Sequence, residues 1–150
     1  MNNYLLCVFT VFIYFNRPTT LVATKTYKFE RSSDKNVKLT DYIQLVSQND
    51  SIVEGKYYGN ENGFHFVADI KFDKNVTNNA FSFSLINYKF CREESNPFYQ
   101  INYYEIDSLP FNLKERVNFY GIMSGKQLVL RRTFWYYDSR FDKMIFNLVK

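Results

Sequence analysis

Phe64-His65-Phe66-Val67-Ala68-Asp69-Ile70-Lys71-Phe72 changes character at nearly every step. Phe64, Phe66, Ala68, Ile70 and Phe72 are apolar or small, and His65, Val67, Asp69 and Lys71 stand between them. Successive side chains of an extended chain point to opposite faces, so this period describes a β-strand with one core face and one wet face. Gly63 before it and Asp73-Lys74-Asn75 after it are the residues that end strands. On this reading Phe66 and Ile70 face a core, while His65 and Lys71 face water.

The same period extends in both directions. Ile52–Tyr58 is a second strand, and Gly59-Asn60-Glu61-Asn62-Gly63 joins it to the first as a hairpin link. Phe81, Phe83 and Leu85 alternate with serines, after which Ile86, Tyr88 and Phe90 carry the apolar series in the other phase. Such a phase shift marks a β-bulge or burial on both faces. Tyr99, Ile101 and Tyr103 alternate again. Val117–Met123 and Gln127–Tyr137 flank Ser124-Gly125-Lys126, a tight-turn sequence. Thr26–Glu30 opens the series, and Met144, Phe146 and Leu148 close it.

About eight strands in one uninterrupted series give an all-β class, a single antiparallel β-sandwich or β-barrel. Two segments read differently. Leu39, Tyr42, Ile43 and Val46 fall at helical spacing with Thr40 as N-cap, which predicts one short helix near 39–47. Pro110–Glu115 after Ser108 reads as a further helical turn.

Residues 1–23 form a separate unit. The apolar run Tyr4–Phe15 is shorter than the roughly 20 residues a membrane helix needs. Asn16-Arg17-Pro18 stops it, and Leu21-Val22-Ala23 offers a cleavage site after Ala23. This is the layout of a secretory signal peptide, although Met1-Asn2-Asn3 supplies no cationic side chain. The expectation is a secreted, extracellular product, residues 24–150, folded as a single β-rich domain with no membrane span after signal removal.

Composition narrows what such a domain does. The net charge of +4 across 150 residues is far too sparse for a dedicated nucleic-acid binder. Aromatics make up 20% of the chain, enough to build a core without a disulfide. That matters because Cys7 belongs to the signal segment and leaves Cys91 with no internal partner. Cys91 is read as a buried thiol, with pairing to a second chain as the alternative. Asn49-Asp50-Ser51 and Asn75-Val76-Thr77 are sequons, so Asn49 and Asn75 are candidate glycosylation sites.

No catalytic set, cofactor motif or metal-ligand spacing emerges. His65 is the one histidine and falls on a wet face, and the sequence has no nucleophile elbow of the Gly-x-Ser-x-Gly type. One histidine and one thiol do not make a zinc site without carboxylates. Glu93-Glu94, Glu105 with Asp107, and Asp138 with Asp142 fall near strand ends, where carboxylates face solvent. The expectation is therefore a non-enzymatic protein without a cofactor.

The remaining signal is a binding surface. Tyr99, Tyr103 and Tyr104 crowd amphipathic rings into one segment. Trp135 lies in the C-terminal cluster with Arg131, Arg132, Arg140 and Lys143. Tyr, Trp and Arg are the residues enriched where proteins bind one another. In a strand Arg131 and Arg132 point to opposite faces, so only one of them lies on a given wet surface.

Two short stretches resemble known families. Ser51-Ile52-Val53-Glu54-Gly55 is similar to the Gln-x-Val-x-Gly loop of cystatins, inhibitors of cysteine proteases, but it lacks the glutamine and the Pro-Trp second loop. Gly55-Lys56-Tyr57-Tyr58 resembles the opening of lipocalins, with Tyr57 in place of the tryptophan of Gly-x-Trp and no closing helix. The chain is assigned to neither. The expected function is a module that engages an extracellular protein or other macromolecule through a tyrosine-rich surface. The lipocalin resemblance implies the alternative, a barrel that carries a small apolar ligand.

Overall fold

In the computed structural model the described residues are 21–32, 38–49, 51–61, 64–73, 79–109, 118–133 and 142–150. They form eight strands: β1 (Val22–Ser32), β2 (Lys38–Gln48), β3 (Ser51–Glu61), β4 (Phe64–Phe72), β5 (Ala80–Cys91), β6 (Asn118–Ser124), β7 (Gln127–Thr133) and β8 (Asp142–Leu148). Each strand pairs antiparallel with the next, and β8 returns to β1 at Tyr27↔Leu148 and Lys28↔Asn147. The sheet closes into a barrel in chain order, so the choice between sandwich and barrel is settled for the barrel. Closure removes the free sheet edges that a flat sheet of this size would expose.

Alternation along β4 holds as the sequence reads. Phe66, Ala68 and Ile70 are buried and Lys71 is exposed. Across the barrel the inward positions are Tyr27, Ile43, Leu45, Tyr57, Phe81, Phe83, Phe90, Phe119, Leu128, Leu130, Met144 and Phe146, which form one cluster. The rings of Phe83 and Phe119 stack with centroids 4.9 Å apart, and Tyr57 touches Phe66, Phe119 and Phe146. Ile43, Phe83, Leu128, Leu130 and Phe146 are each 0% exposed, so the middle of the barrel leaves no water-sized space beside them. An eight-stranded barrel is narrow enough for side chains to fill it.

Two positions make room for rings. Gly59 pairs with Phe66, whose ring lies where a Cβ would stand, 2.3 Å from Cζ. Gly121 is covered in the same way by Phe81, with Cε2 2.8 Å from a built Cβ. Two bulges bend the wall. One falls between β2 and β3 at Val46/Ser47. The other falls between β4 and β5 at Val67/Asp69, opposite Asn87 with φ 53°. The second is the phase shift after Leu85.

Three expectations change. Residues 39–47 are the strand β2 rather than a helix. Their inward set is Asp41, Ile43 and Leu45, all buried, and their outward set includes Tyr42 and Val46. A carboxylate inside and apolar residues outside erased the period of two. Conversely, 99–103 is not a strand: the segment is irregular, and the bridge to the sheet falls at the next residue, Phe90↔Tyr104. The third change concerns His65, which is half-buried rather than solvent-facing. The strand total survives because β2 is gained as 99–103 is lost. The turn at Pro110–Glu115 and the cluster Phe134–Tyr137 with Arg140 lie outside the described residues, as do residues 1–20. β1 begins at Val22, so a cut after Ala23 would remove its first two residues.

Candidate functional site: a pinned aromatic connection

Connectivity separates the two ends of the barrel. The turns after β2 and β6 are two residues each, at Asn49-Asp50 and Gly125-Lys126, with Gly125 at φ 59° and Asn49 at φ 49°. The links after β1, β3, β5 and β7 leave from the opposite end. The β5–β6 link is the long one, described from Arg92 to Leu109.

This link folds back over the outer wall of β2, β3 and β4. Tyr42 and Tyr58 are register partners on the outward phase, yet both are only 8% exposed. Phe98 of the link packs edge-to-face on Tyr42 at 5.7 Å, and Asn96 Nδ2 donates to the Tyr42 hydroxyl at 3.4 Å. At its free edge Lys89 meets Glu105 at 3.6 Å, an exposed pair that contributes little.

Asn60 holds the root of the link. Its Nδ2 donates to the carbonyls of Thr40 and of Ser95, the latter at 3.1 Å. Its Oδ1 accepts from Ser95 N at 2.6 Å and from His65 Nδ1 at 2.9 Å. The Asn60 amide thus pairs with both backbone groups of Ser95, as a neighbouring strand would. Because that oxygen is an acceptor, the histidine proton sits on Nδ1. Asn60 is 1% exposed and Ser95 0%, so these bonds are shielded from competing water. Beneath them, Asp41 continues the β2–β3 ladder with its side chain. Its carboxylate accepts from Asn60 N at 2.8 Å and from the Tyr57 hydroxyl at 3.0 Å. Ser95 Oγ also lies 3.0 Å from the Tyr103 hydroxyl.

With its root fixed, the link presents rings outward. Tyr99 is 74% exposed, and Phe98, Tyr104 and Ile106 are also exposed. A hollow of about 290 Å³ lies among Arg92, Glu93, Gln100, Ile101, Asn102 and Tyr104. Of the tyrosines read from the sequence, Tyr99 and Tyr104 stand on this surface. Tyr103 is half-buried and turned to Ser95, with burial pushing its hydroxyl pKa up. Arg131 is exposed on β7, away from the link. Arg132 falls on the inward phase beside Phe119, with its Nε shielded from solvent. The structure therefore divides the two arginines as strand geometry requires and brings neither to the tyrosines. Trp135 and Asn75 lie outside the described residues. Asn49 is exposed at the β2–β3 turn, where its Oδ1 accepts from Leu21 N at 3.3 Å.

The fold also creates one neighbourhood that sequence separation hid. Cys91 is the cross-strand partner of His65, and His65 is held by Asn60. Cysteine, histidine and asparagine together are the parts of a thiol nucleophile. Here, however, the thiol is buried and donates to the Glu93 carbonyl at 3.1 Å. Burial, with Glu93 adding to it, pushes its pKa up against a hydrogen bond with Ser95. A nucleophilic thiol needs the opposite shift. Groups of His, Cys, Asp and Glu able to hold a metal ion are absent among the described residues.

Compared with protein families, curated proteins and solved structures, the chain matches none.

Proposed function

We propose that this chain is a secreted, non-enzymatic binding module that engages an extracellular protein through the aromatic surface of the β5–β6 link. One observation carries the reading. Phe98, Tyr99 and Tyr104 are exposed on a segment whose root is fixed by buried hydrogen bonds to Asn60. Ordering a loop on binding costs free energy, and a loop already held in place avoids that cost. Exposed tyrosines on such a loop supply large contact area with few rotatable bonds. The signal-like segment 1–23 supports an extracellular setting. The direction in which the Cys91 thiol shifts weighs against a hydrolytic role.

A photo-crosslinking residue at position 99 tests this directly. It should capture a discrete partner from extracellular fluid, and Tyr99→Ala with Tyr104→Ala should weaken binding of the purified partner at least about thirtyfold, the scale of an interface hot spot. Capture no better than from the same probe at the exposed Lys71 would overturn the reading.

The carrier reading rests on barrel closure in chain order, since eight-stranded barrels of this kind do hold small ligands. The shut interior around Phe83, Phe146, Leu128 and Leu130 weighs against it. Saturable one-to-one uptake of an apolar fluorescent probe, competed by a fatty chain, would favour the carrier instead.

A further inference from the structure

The wall opposite the link carries a second surface of different chemistry. β3 and β7 are four strands apart in a ring of eight, so β6–β8 lie across the barrel from β2–β4. Register sets Ile122, Val129 and Ile145 side by side across β6, β7 and β8. The adjoining outward row is Tyr120, Arg131 and Lys143. Tyr120 is 48% exposed, Ile122 44% and Ile145 38%. Scattered exposed apolar residues are ordinary, but a contiguous block on one sheet face marks a contact surface.

Charge identifies what fits there. Arg131 and Lys143 are exposed and make no ion pair with a described residue. The one carboxylate in the sequence of these three strands is Asp142, whose register partner is the inward-phase Arg132. On the neighbouring strand β1, Glu30 is taken by Lys28 at 2.5 Å. Strand spacing makes the apolar row about 10 Å long, and the cationic row lies about 7 Å to one side.

We infer that this face docks an acidic amphipathic segment of another protein, with apolar side chains on Ile122, Val129 and Ile145 and carboxylates on Arg131 and Lys143. A second copy of the chain fits less well, because it would bring the same cations to the contact. Complementary charge across such a patch sets partner choice and association rate.

The test uses two synthetic peptides with the same leucine stripe, one flanked by glutamates and one by lysines. The glutamate peptide should bind saturably and weaken with salt. Arg131→Glu with Lys143→Glu should lower its affinity at least about tenfold and confer binding of the lysine peptide, a gain that misfolding does not produce. Ile122→Ser with Ile145→Ser should abolish binding of the glutamate peptide. Tyr99→Ala with Tyr104→Ala should leave the binding unchanged, which separates this surface from the link. Equal binding of both peptides by the native protein would overturn the proposal. So would binding to phosphatidylserine vesicles but not to peptide, or a native dimer that Ile122→Ser dissolves.

Discussion

The two outer walls of this barrel begin from the same material and end differently. On β2–β4 the outward residues include Tyr42 and Tyr58, and on β6–β8 they include Tyr120, Ile122 and Ile145. The first pair is buried and the second group is exposed. The difference is the link after β5, which crosses the first wall and is anchored there by Asn60 and Ser95. An outward aromatic in a closed barrel therefore has two meanings. It is a seat for a returning segment where one is pinned nearby, and stays exposed where none is.

The largest break in this comparison is to release the pin. Asn60→Ala deprives Ser95 N–H, Ser95 C=O and Thr40 C=O of their partner. Each buried polar group left unmatched costs about 1–3 kcal/mol, and partial relaxation keeps the whole near 3–5 kcal/mol. That equals the expected cost of Phe66→Ala in the core. The two variants should still differ in kind. Cys91 lies under the root of the link, so Asn60→Ala should speed thiol labelling in the native protein far more than Phe66→Ala does, at matched stability. Equal labelling rates would mean that the link is not held by Asn60.

A smaller effect comes from where the walls part. Among the described residues β6 pairs with β5 from Ala80 to Ser84, and Tyr88 lies beyond that stretch with its ring against Phe66. Burial pushes the Tyr88 pKa up to about 12 from 10.0, against the pull of the Arg132 charge. Because the folded value is the higher, its contribution is whole below about pH 10 and is lost as pH rises toward 12. At about 1.4 kcal/mol per unit the loss is roughly 2–3 kcal/mol. Tyr27, Tyr58 and Tyr103 shift in the same direction and add to the alkaline limb. Tyr88→Phe should flatten that limb in urea midpoints taken at pH 9 and 11. An unchanged slope would place the effect in the other tyrosines.

The glycines sharpen the comparison further, since each wall uses one beneath a phenylalanine ring. Gly59→Ala sets a Cβ 2.3 Å from Phe66 Cζ, whereas Gly121→Ala sets one 2.8 Å from Phe81 Cε2. Overpacking of this kind costs about 1–3 kcal/mol. Gly59→Ala should be the costlier, because Phe66 is wedged between Tyr57, Tyr88 and Phe90. Denaturant midpoints in the reverse order would show that the covered wall yields more readily than the bare one.

What the sequence revealed follows the same division. β4, β5 and the β6–β7 turn were legible because their inward sets are uniformly apolar: Phe66, Ala68 and Ile70, then Phe81 and Phe83. β2 was not, because Asp41 points inward to serve the Tyr57 hydroxyl and Asn60 N. Tyr99, Ile101 and Tyr103 alternate with polar residues without pairing in a sheet: Tyr103 turns to Ser95, while Tyr99 on the same phase faces water. The tyrosine surface was therefore visible in composition, while its anchor was not. Asn60 stood within a presumed turn, 35 residues from Ser95, and a lone asparagine carries no long-range signal. The β6–β8 patch was hidden because its members are neighbours only through register.

The smallest effect is the most discriminating. Ile122→Ser and Ile145→Ser alter side chains that are already 44% and 38% exposed. More than half of each side chain still leaves water on folding, so each change should cost about 1 kcal/mol, less than the loss of a buried ring. Tyr42→Ser on the opposite wall removes a ring that packs against Phe98 and leaves Asn96 without its hydroxyl partner. It should cost about 2 kcal/mol or more, counting the edge-to-face contact and the buried area. Thermal melts of the three variants side by side decide the point. If the two isoleucine variants melt as early as Tyr42→Ser, those isoleucines are covered in the protein in solution, and the two walls are alike after all.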